Sequence, residues 1–323
     1  MNTQRTIVVG AGVIGLTTAV RLAEAGRDVA VIARDLPPET TSAVATALWY
    51  PYRAEPPDLV LAWALQSFLT YAKDAVDPES GVQLVDGLEL RRTFGEPWFI
   101  RALPDEAGFD HFTDVPAGYS DGWQLRLPVI EPSLYLSLLV SRLEALGGSI
   151  TRTVVTALPD DALVVNCTGL GSRWLFGDQS IMPIRGQVVR VERVDGVDPW
   201  LLDQGDEATP VYVVPRSKDI VVGGTADIGD FDRQAHDDVT AEILTRASRL
   251  VPALAGARIL GVNTGLRPAR PEVRLETETR PEGGHIIHNY GHGGAGWTVA
   301  WGCADEVVRQ IQLIAGPVAA QAT

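Results

Sequence analysis

The chain has 323 residues, of which 46% are hydrophobic and 21% charged, and its 27 basic and 41 acidic side chains give a formal net charge of −14. This composition excludes a disordered, collagen-like or disulfide-stapled protein, and the length suggests two domains. The negative charge makes the chain a poor partner for nucleic acid or an anionic membrane. Its two cysteines, Cys167 and Cys303, are far apart in sequence and are expected to be buried free thiols.

The N-terminal residues predict a β-α-β unit. The β-branched run at 6–9 predicts a buried strand, residues 14–25 have helical spacing, and residues 28–33 predict a second strand. Such a unit is typical of the start of a parallel, doubly wound sheet. Residues 40–49 are small and polar, and we expect them to form a loop close to a ligand.

The rest of the chain alternates helices and strands, with α/β segments at both ends and a strand-rich middle. Asp58 and Ser133 are expected to cap two of the helices. The predicted helices span 59–76, 134–146, 239–250 and 295–314, short strands are expected within 78–127, and further strands at 150–155, 163–167, 187–194, 211–214, 220–222, 259–264, 273–277 and 285–289. This order predicts a nucleotide-binding domain interrupted by a second, mostly antiparallel domain.

The first motif is a glycine-rich turn between the first strand and the first helix. It consists of Gly10, Ala11, Gly12, Val13, Ile14 and Gly15. Gly10 permits the tight turn, Gly12 lets the backbone approach a pyrophosphate, and Gly15 allows close helix–strand packing. An acid, Asp35, lies 20 residues beyond Gly15. The motif predicts a dinucleotide site, but its spacing does not distinguish FAD from NAD.

A second glycine-rich segment, residues 288–298, joins a predicted strand to the last helix. A second glycine-lined helix start is unnecessary for NAD alone. It suits a flavin ring, because the positive end of the helix dipole stabilises negative charge on the reduced ring. A turn without a ligand is the alternative. His288 and His292 lack nearby acids, so no metal site is expected.

Three side chains in the second half are candidates for substrate recognition. Arg267 and Arg270 lie among prolines after a predicted strand, and a guanidinium can hold a carboxylate through two parallel hydrogen bonds. Tyr212 lies in an apolar strand, where its hydroxyl needs a partner. A surface ion pair and a core tyrosine are the respective alternatives. Because no hydrolase elbow, P-loop or metalloprotease motif is present, a cofactor is expected to carry the chemistry.

Together these motifs resemble the D-amino-acid oxidase family, in particular its bacterial and fungal members. The matching stretches cover nearly the whole chain: VVGAGVIGL at 8–16, ARDLP at 33–37, VVNCTGLG at 164–171, IRGQ at 184–187, GGT at 223–225, GLRPAR at 265–270, HNYGHGG at 288–294 and WGCA at 301–304. The resemblance implies an α/β fold in which a Rossmann-like FAD-binding domain (1–51, 131–182 and 260–323) is interleaved with a mostly antiparallel α+β substrate domain (52–130 and 183–259).

The resemblance also implies an activity. It implies non-covalently bound FAD and oxidative deamination of neutral D-amino acids to 2-oxo acids, ammonia and hydrogen peroxide. Hydride would pass from the substrate Cα to flavin N5, and dioxygen would be the final acceptor. Alternatives are a glycine- or sarcosine-type amine oxidase, a flavoprotein that reduces a quinone, and a non-catalytic flavin-binding protein.

Site residues follow from the same resemblance. Arg267 would bind the substrate carboxylate, Tyr212 would donate a second hydrogen bond to it, and the Gly294 carbonyl would receive the amine; no acid or base and no metal are assigned. The implied cofactor-binding positions are Gly10, Ala11, Gly12, Val13, Ile14, Gly15, Arg34, Asp35, Thr41, Ser42, Val154, Gly293, Gly294, Gly296 and Thr298.

Two positions depart from the family pattern. Family members often carry a second active-site tyrosine where Ala208 and Ala226 stand here, so a more open pocket with a short lid is expected. D-aspartate oxidases carry an arginine directly after Gly-Gly-Thr, and Ala226 therefore argues against acidic substrates. The chain ends in Ala-Gln-Ala-Thr instead of a Ser-Lys-Leu type signal, which favours a cytoplasmic location. A homodimer is compatible with the resemblance.

Overall fold

The computed structural model describes residues 5–104, 107–158, 162–205, 209–281 and 283–315. Its helices are α1 (Val13–Glu24), α2 (Pro57–Asp74), α3 (Pro132–Ala145), α4 (Ser172–Leu175), α5 (Asp237–Leu250) and α6 (Gly296–Ala315). Its strands are β1 (Thr6–Val9), β2 (Val29–Ala33), β3 (Val82–Arg91), β4 (Phe109–Phe112), β5 (Asp121–Ile130), β6 (Ser149–Arg152), β7 (Leu163–Asn166), β8 (Met182–Val191), β9 (Trp200–Gln204), β10 (Val211–Pro215), β11 (Ile220–Gly223), β12 (Asp227–Ile228), β13 (Ile259–Thr279) and β14 (His285–His292). No helix in these residues is long and apolar enough to span a bilayer.

One part of the sheet is parallel. Its strands run in the order β14-β7-β1-β2-β6, and each neighbouring pair is parallel. β1 and β7 are short, β-branched and mostly buried, as expected for strands covered on both faces. Helix α1 packs on α6, and α2 packs on the same helix. The predicted Rossmann-like layer, beginning with a β-α-β unit, is confirmed.

The other part of the sheet is mainly antiparallel. Its order is β4-β5-β3-β9-β10-β11-β8-β13, and only the β3–β9 pair in this series is parallel. On one face, α5 covers β8, β10 and β11 through an apolar cluster that includes Val189, Val213 and Ile243. The opposite face of these strands turns toward the cavity described below. The predicted mostly antiparallel region is therefore also confirmed.

The strand β13 joins the two parts. Its first half pairs with β8 and its second half with β14, and the register shifts between Ala269 and Arg274. The prediction of two separate strands at 259–264 and 273–277 was wrong. Pro268 does not break the ladder because it faces Pro183, and its carbonyl points away from β8 to accept the Gly293 N–H at 2.9 Å.

Other differences are local. Strands β3 and β5 each span ten residues and pair along their whole length, where only short strands were expected. Asp58 and Ser133 do not cap α2 and α3; both lie inside the first turn, because each helix begins one residue earlier at a proline. The fixed φ of proline suits the first helical position. The boundaries of the two domains stay a prediction, since the sheet is continuous across them.

Candidate active site

A cavity of about 970 Å³ lies between the parallel layer and the antiparallel strands. The N-termini of α1 and α6 line it from one side, and β8, β9, β10 and β13 line it from the other. This volume is at the upper end for small-molecule sites, so the cavity accommodates a large ligand together with a small one.

The turn between β1 and α1 is shaped by its glycines. A Cβ on Gly10, which has a φ of 116°, would lie 2.4 Å from the carbonyl oxygen of Cys167, and a Cβ on Gly15 would lie 1.9 Å from that of Gly10. The Val13 N–H, the first of α1, donates to Ser42 Oγ at 3.0 Å. Residues 10–14 line the cavity, while Gly15 lies behind them and allows the helix to approach the strand.

The end of β2 forms one extremity of the cavity. The Arg34 guanidinium donates two hydrogen bonds to the Asp35 carboxylate, at 2.9 and 2.6 Å, and this contact lowers the pKa of Asp35. The carboxylate is ionised at neutral pH and retains acceptor sites for a ribose hydroxyl. Thr41, Ser42 and the exposed Val154 also line the cavity, and the Thr41 methyl group would lie 3.7 Å from a Cβ on Gly265 of β13.

The N-terminus of α6 borders the cavity through Gly293, Gly294 and Gly296. A Cβ on Gly296 would meet no protein atom within 4 Å and would project into the cavity, whereas one on Gly294 would lie 2.4 Å from the Tyr52 ring. Thr298 does not line the cavity. Its hydroxyl donates to the Tyr50 carbonyl at 2.8 Å and accepts from the Tyr50 N–H at 3.0 Å.

The substrate candidates Arg267 and Tyr212 meet at the opposite extremity. The Arg267 guanidinium lies over Gly186, where a Cβ would approach it to 2.3 Å, and donates to the Thr225 carbonyl at 3.1 Å. The Tyr212 ring covers Gly223, and its hydroxyl would lie 2.7 Å from a Cβ on the next residue. Both polar groups therefore converge on residues 223–225 and line the cavity.

The other motif residues have structural partners. Arg270 donates to Asp178 at 2.9 Å, which is the ion-pair alternative considered for it. His292 is 3.1 Å from Asn289, and burial lowers its pKa to about 3. His288 lies between Asn166 and Glu278, and burial lowers its pKa too. Among the described residues there is no group of three histidine, cysteine or acidic side chains placed to hold a metal.

The two cysteines lie in different environments, and so do the two alanines that depart from the family pattern. Both thiols are free; Cys303 is buried, and Cys167 is half-buried at the cavity wall. Ala226 is buried next to Thr225. Ala208 lies outside the described residues.

Sequence reasoning missed several lining side chains. Tyr50 and Tyr52 line the cavity from the segment before α2, Leu202 does so from β9, and Phe231 and Arg233 from the segment after β12. One sequence feature could have indicated Tyr50 and Tyr52 as lining residues: two aromatic rings follow directly after the small polar residues 40–48. Leu202 gave no such indication, because its strand was not predicted.

The cavity fits FAD. It joins a glycine turn and helix start beside an acidic residue, as a dinucleotide requires, to the open backbone at Gly296. At the far end, a guanidinium beside a tyrosine hydroxyl is suited to a small carboxylate. A site of this kind defines a flavin-dependent enzyme that acts on a small acid.

Comparison with known proteins agrees with this class. A family model described as DAO, FAD dependent oxidoreductase, matches residues 5–310. The chain therefore belongs to the DAO family of FAD-dependent oxidoreductases. It is 46% identical to a D-amino-acid oxidase of Rubrobacter xylanophilus over 94% of each chain. It is 44% identical to one of Streptomyces coelicolor, over 94% of this chain and 95% of the relative.

The fold also matches solved structures. Glycine oxidase from Geobacillus kaustophilus superposes with a TM-score of 0.80 over 96% of this chain and 95% of that one, at 18% identity. Identity at that level establishes the shared fold alone.

Proposed function

We propose that the chain oxidises neutral D-amino acids with FAD and dioxygen, giving 2-oxo acids, ammonia and hydrogen peroxide. The observation that carries this proposal is the convergence of Arg267 and Tyr212 in the cavity. The two bacterial relatives named D-amino-acid oxidase support the class of substrate.

Arg267 anchors the substrate carboxylate. The guanidinium Nη1 donates to the Thr225 carbonyl at 3.1 Å and to the Arg185 carbonyl at 3.5 Å, which fixes the plane of the group, and the Nε–H and Nη2–H groups can form two parallel bonds to a carboxylate. The Tyr212 hydroxyl supplies a further donor. Tyr212 is held by its packing over Gly223, so the anchor is preorganised.

The Gly294 carbonyl orients the substrate amine. The preceding N–H, that of Gly293, donates to the Pro268 carbonyl at 2.9 Å, so this loop is tied to the residue that follows Arg267. The groups proposed for the carboxylate and for the amine are thus linked through one hydrogen bond. A substrate held at both groups has its Cα–H direction fixed, and positioning of this kind supplies about 7–11 kcal/mol of the barrier.

When bound, FAD supplies the electron acceptor for the hydride from Cα and passes the electrons to dioxygen. The chain contributes orientation and an apolar wall. Among the described lining residues, the two carboxylates, Asp35 and Glu39, lie near the end of β2, away from Arg267. The amine lone pair assists departure of the hydride, and water hydrolyses the resulting imino acid.

The walls near Arg267 support neutral substrates. Val214 and Leu202 line the cavity on β10, which bears Tyr212, and on its neighbour β9; Val188 lines it on β8, which pairs with the strand of Arg267. In the described part of the chain, the other lining arginines, Arg34 and Arg233, act on Asp35 at the β2 extremity. Among the described lining residues, a carboxylate on the substrate side chain therefore finds no second cation beside Arg267.

The test is a substrate panel with peroxide detection under air. D-Alanine, D-valine, D-aspartate, L-alanine, glycine and sarcosine are compared by kcat/KM on the yellow holoenzyme. Turnover highest on the neutral D-amino acids supports the proposal. Higher kcat/KM on glycine or sarcosine assigns an amine oxidase instead, and flavin reduction by D-alanine without peroxide assigns a different electron acceptor.

Two further properties belong to the same proposal. The buried free thiol of Cys303 is compatible with a reducing, cytoplasmic location. A homodimer is tested by the molar mass of the holoenzyme in solution.

A further inference from the structure

We infer that Glu89 is a positioning residue for substrate specificity: it holds the Tyr50 ring as the wall that ends the pocket for the substrate side chain. This inference rests on the proposed function, because the pocket it closes is the one beside Arg267 and Tyr212.

Strand register places Glu89 on the cavity face. Glu89 of β3 is paired with Leu202 of β9, and Leu202 is paired with Tyr212 of β10. Residues directly opposite one another on neighbouring strands point to the same face of a sheet. The three side chains therefore form one row, in which the Cα of Glu89 is about 10 Å, or two strand spacings, from that of Tyr212.

Glu89 itself is removed from solvent. Its side chain is 0% exposed and accepts a hydrogen bond from the Tyr50 hydroxyl at 3.1 Å and from Arg91 at 2.5 Å. Burial raises the pKa of Glu89, and the guanidinium of Arg91 opposes this shift. The buried carboxylate needs both donors, so it fixes the tyrosine hydroxyl firmly.

Tyr50 is fixed at its other end as well. Both its N–H and its carbonyl bond to the Thr298 hydroxyl in the first turn of α6, and its ring packs edge-on against Phe99 with centroids 4.8 Å apart. Tyr50 lines the cavity together with Leu202. Tyr50 therefore extends from the start of α6 to the row formed by Glu89, Leu202 and Tyr212. Its hydroxyl lies at the Glu89 end of that row.

A ring tied in this way limits the length of the substrate side chain. Replacing Tyr50 by phenylalanine removes the bond to Glu89 but keeps the ring and leaves the Glu89–Arg91 pair intact. The Tyr50 ring can then move aside for a large substrate side chain, while the carboxylate anchor of Arg267 and Tyr212 is unchanged. The effect falls on binding of the side chain, which is the same in the ground state and the transition state, and so on KM more than on kcat.

The experiment compares kcat/KM for D-phenylalanine and D-alanine in the wild type, Tyr50→Phe, Glu89→Gln and Glu89→Leu. Tyr50→Phe is expected to raise the D-phenylalanine to D-alanine ratio about tenfold, mainly through a lower KM for D-phenylalanine, because the ring can move without breaking a hydrogen bond to a charged group. Glu89→Gln keeps an acceptor for Tyr50 and is expected to stay within about twofold of the wild type. If Glu89→Leu folds, it is expected to follow Tyr50→Phe.

Tyr135→Phe is the matched control. The Tyr135 hydroxyl also donates to a carboxylate that pairs with an arginine, since Asp74 accepts from both Tyr135 and Arg142, but Tyr135 is not a lining residue of the cavity. Its ratio is expected to equal that of the wild type. A Tyr50→Phe ratio within twofold of the wild type, or an equal fall of kcat/KM for both substrates, overturns the inference.

Failure of the proposed function gives a different result. If the wild type turns over none of the D-amino acids, the proposed function fails, and the pocket is tested by titrating the flavin absorbance with acetate, butanoate and hexanoate. Selectively tighter binding of hexanoate by Tyr50→Phe then supports the wall. Unchanged relative affinities, or no binding of any carboxylate, overturn it.

Discussion

Replacing Arg267 by alanine removes the proposed anchor of the substrate carboxylate. The side chain is half-buried, and its guanidinium donates to two backbone carbonyls: that of Thr225 at 3.1 Å and, at the limit of a hydrogen bond, that of Arg185 at 3.5 Å. No carboxylate of the protein is among these partners. The charge of Arg267 is therefore available for the substrate.

The expected loss follows from the number of bonds. Two hydrogen bonds between charged groups are worth about 1.5–3 kcal/mol each, or about 3–6 kcal/mol together. At about 1.4 kcal/mol per factor of ten, kcat/KM for D-alanine should fall at least about 10²-fold and up to about 10⁴-fold. The assay is peroxide production by the holoenzyme, with flavin content measured on the same sample, which should remain unchanged.

Arg190→Ala is the control for loss of a cation from the same sheet. Arg190 pairs with Asp219, which keeps Arg216 as a partner, and Arg190 does not line the cavity. We expect kcat/KM within about twofold of the wild type, because Arg190 is not a lining residue and Asp219 keeps a cationic partner. Near-normal kcat/KM in Arg267→Ala, with full flavin content, would falsify the carboxylate anchor.

Three other predictions concern the ends of the cavity and its buried histidine. Tyr212→Phe should lower kcat/KM for D-alanine about 5- to 30-fold, from a loss of about 1–2 kcal/mol, and an unchanged value removes the hydroxyl from substrate binding. Gly296→Val should weaken FAD binding more than about tenfold in a flavin fluorescence titration, because the side chain enters the cavity, while the apoprotein unfolds normally. His292→Gln should reduce acid sensitivity: burial lowers the pKa of His292 to about 3, so the unfolded chain takes up the proton first as pH falls below the ordinary value of 6.5. The wild type then loses about 2 kcal/mol of unfolding free energy between pH 8 and pH 5 from this group, and equal losses in both proteins by urea unfolding would contradict the assignment.

The parts of the fold that the sequence predicted are those with a strong local signal. The β1-α1-β2 unit has helical spacing, two apolar strands and glycines that only close packing explains, such as Gly15 against the Gly10 carbonyl. The motif containing Arg267 was recognised as a unit. Its meeting with Tyr212, about 55 residues away in the sequence, was expected only from the family resemblance, because pairing between distant strands leaves no periodic trace in either segment.

The parts that were missed depend on distant partners. β3 carries a glutamate and an arginine near its end, a composition that argues against a buried strand. These charges are tolerated because Glu89 accepts hydrogen bonds from Arg91 and Tyr50 in the folded protein. The prolines of β13 were interpreted as the end of one strand and a gap before the next. The strand continues through them because Pro268 faces Pro183. Tyr50 and Pro183 both lie far along the chain from the strands that they contact.

The length of β13 has a consequence for assembly of the protein. Among the described strands, only β13 pairs with both β8 and β14, so the nucleotide-binding layer and the antiparallel region form one continuous sheet. A shift of one residue in its pairing with β8 would turn the side chains of that half, including Arg267, to the opposite face of the sheet. β13 therefore fixes the position of Arg267 relative to the glycine loop before α6, because the residue after Arg267 accepts the Gly293 N–H and the second half of the strand pairs with β14, which leads into that loop.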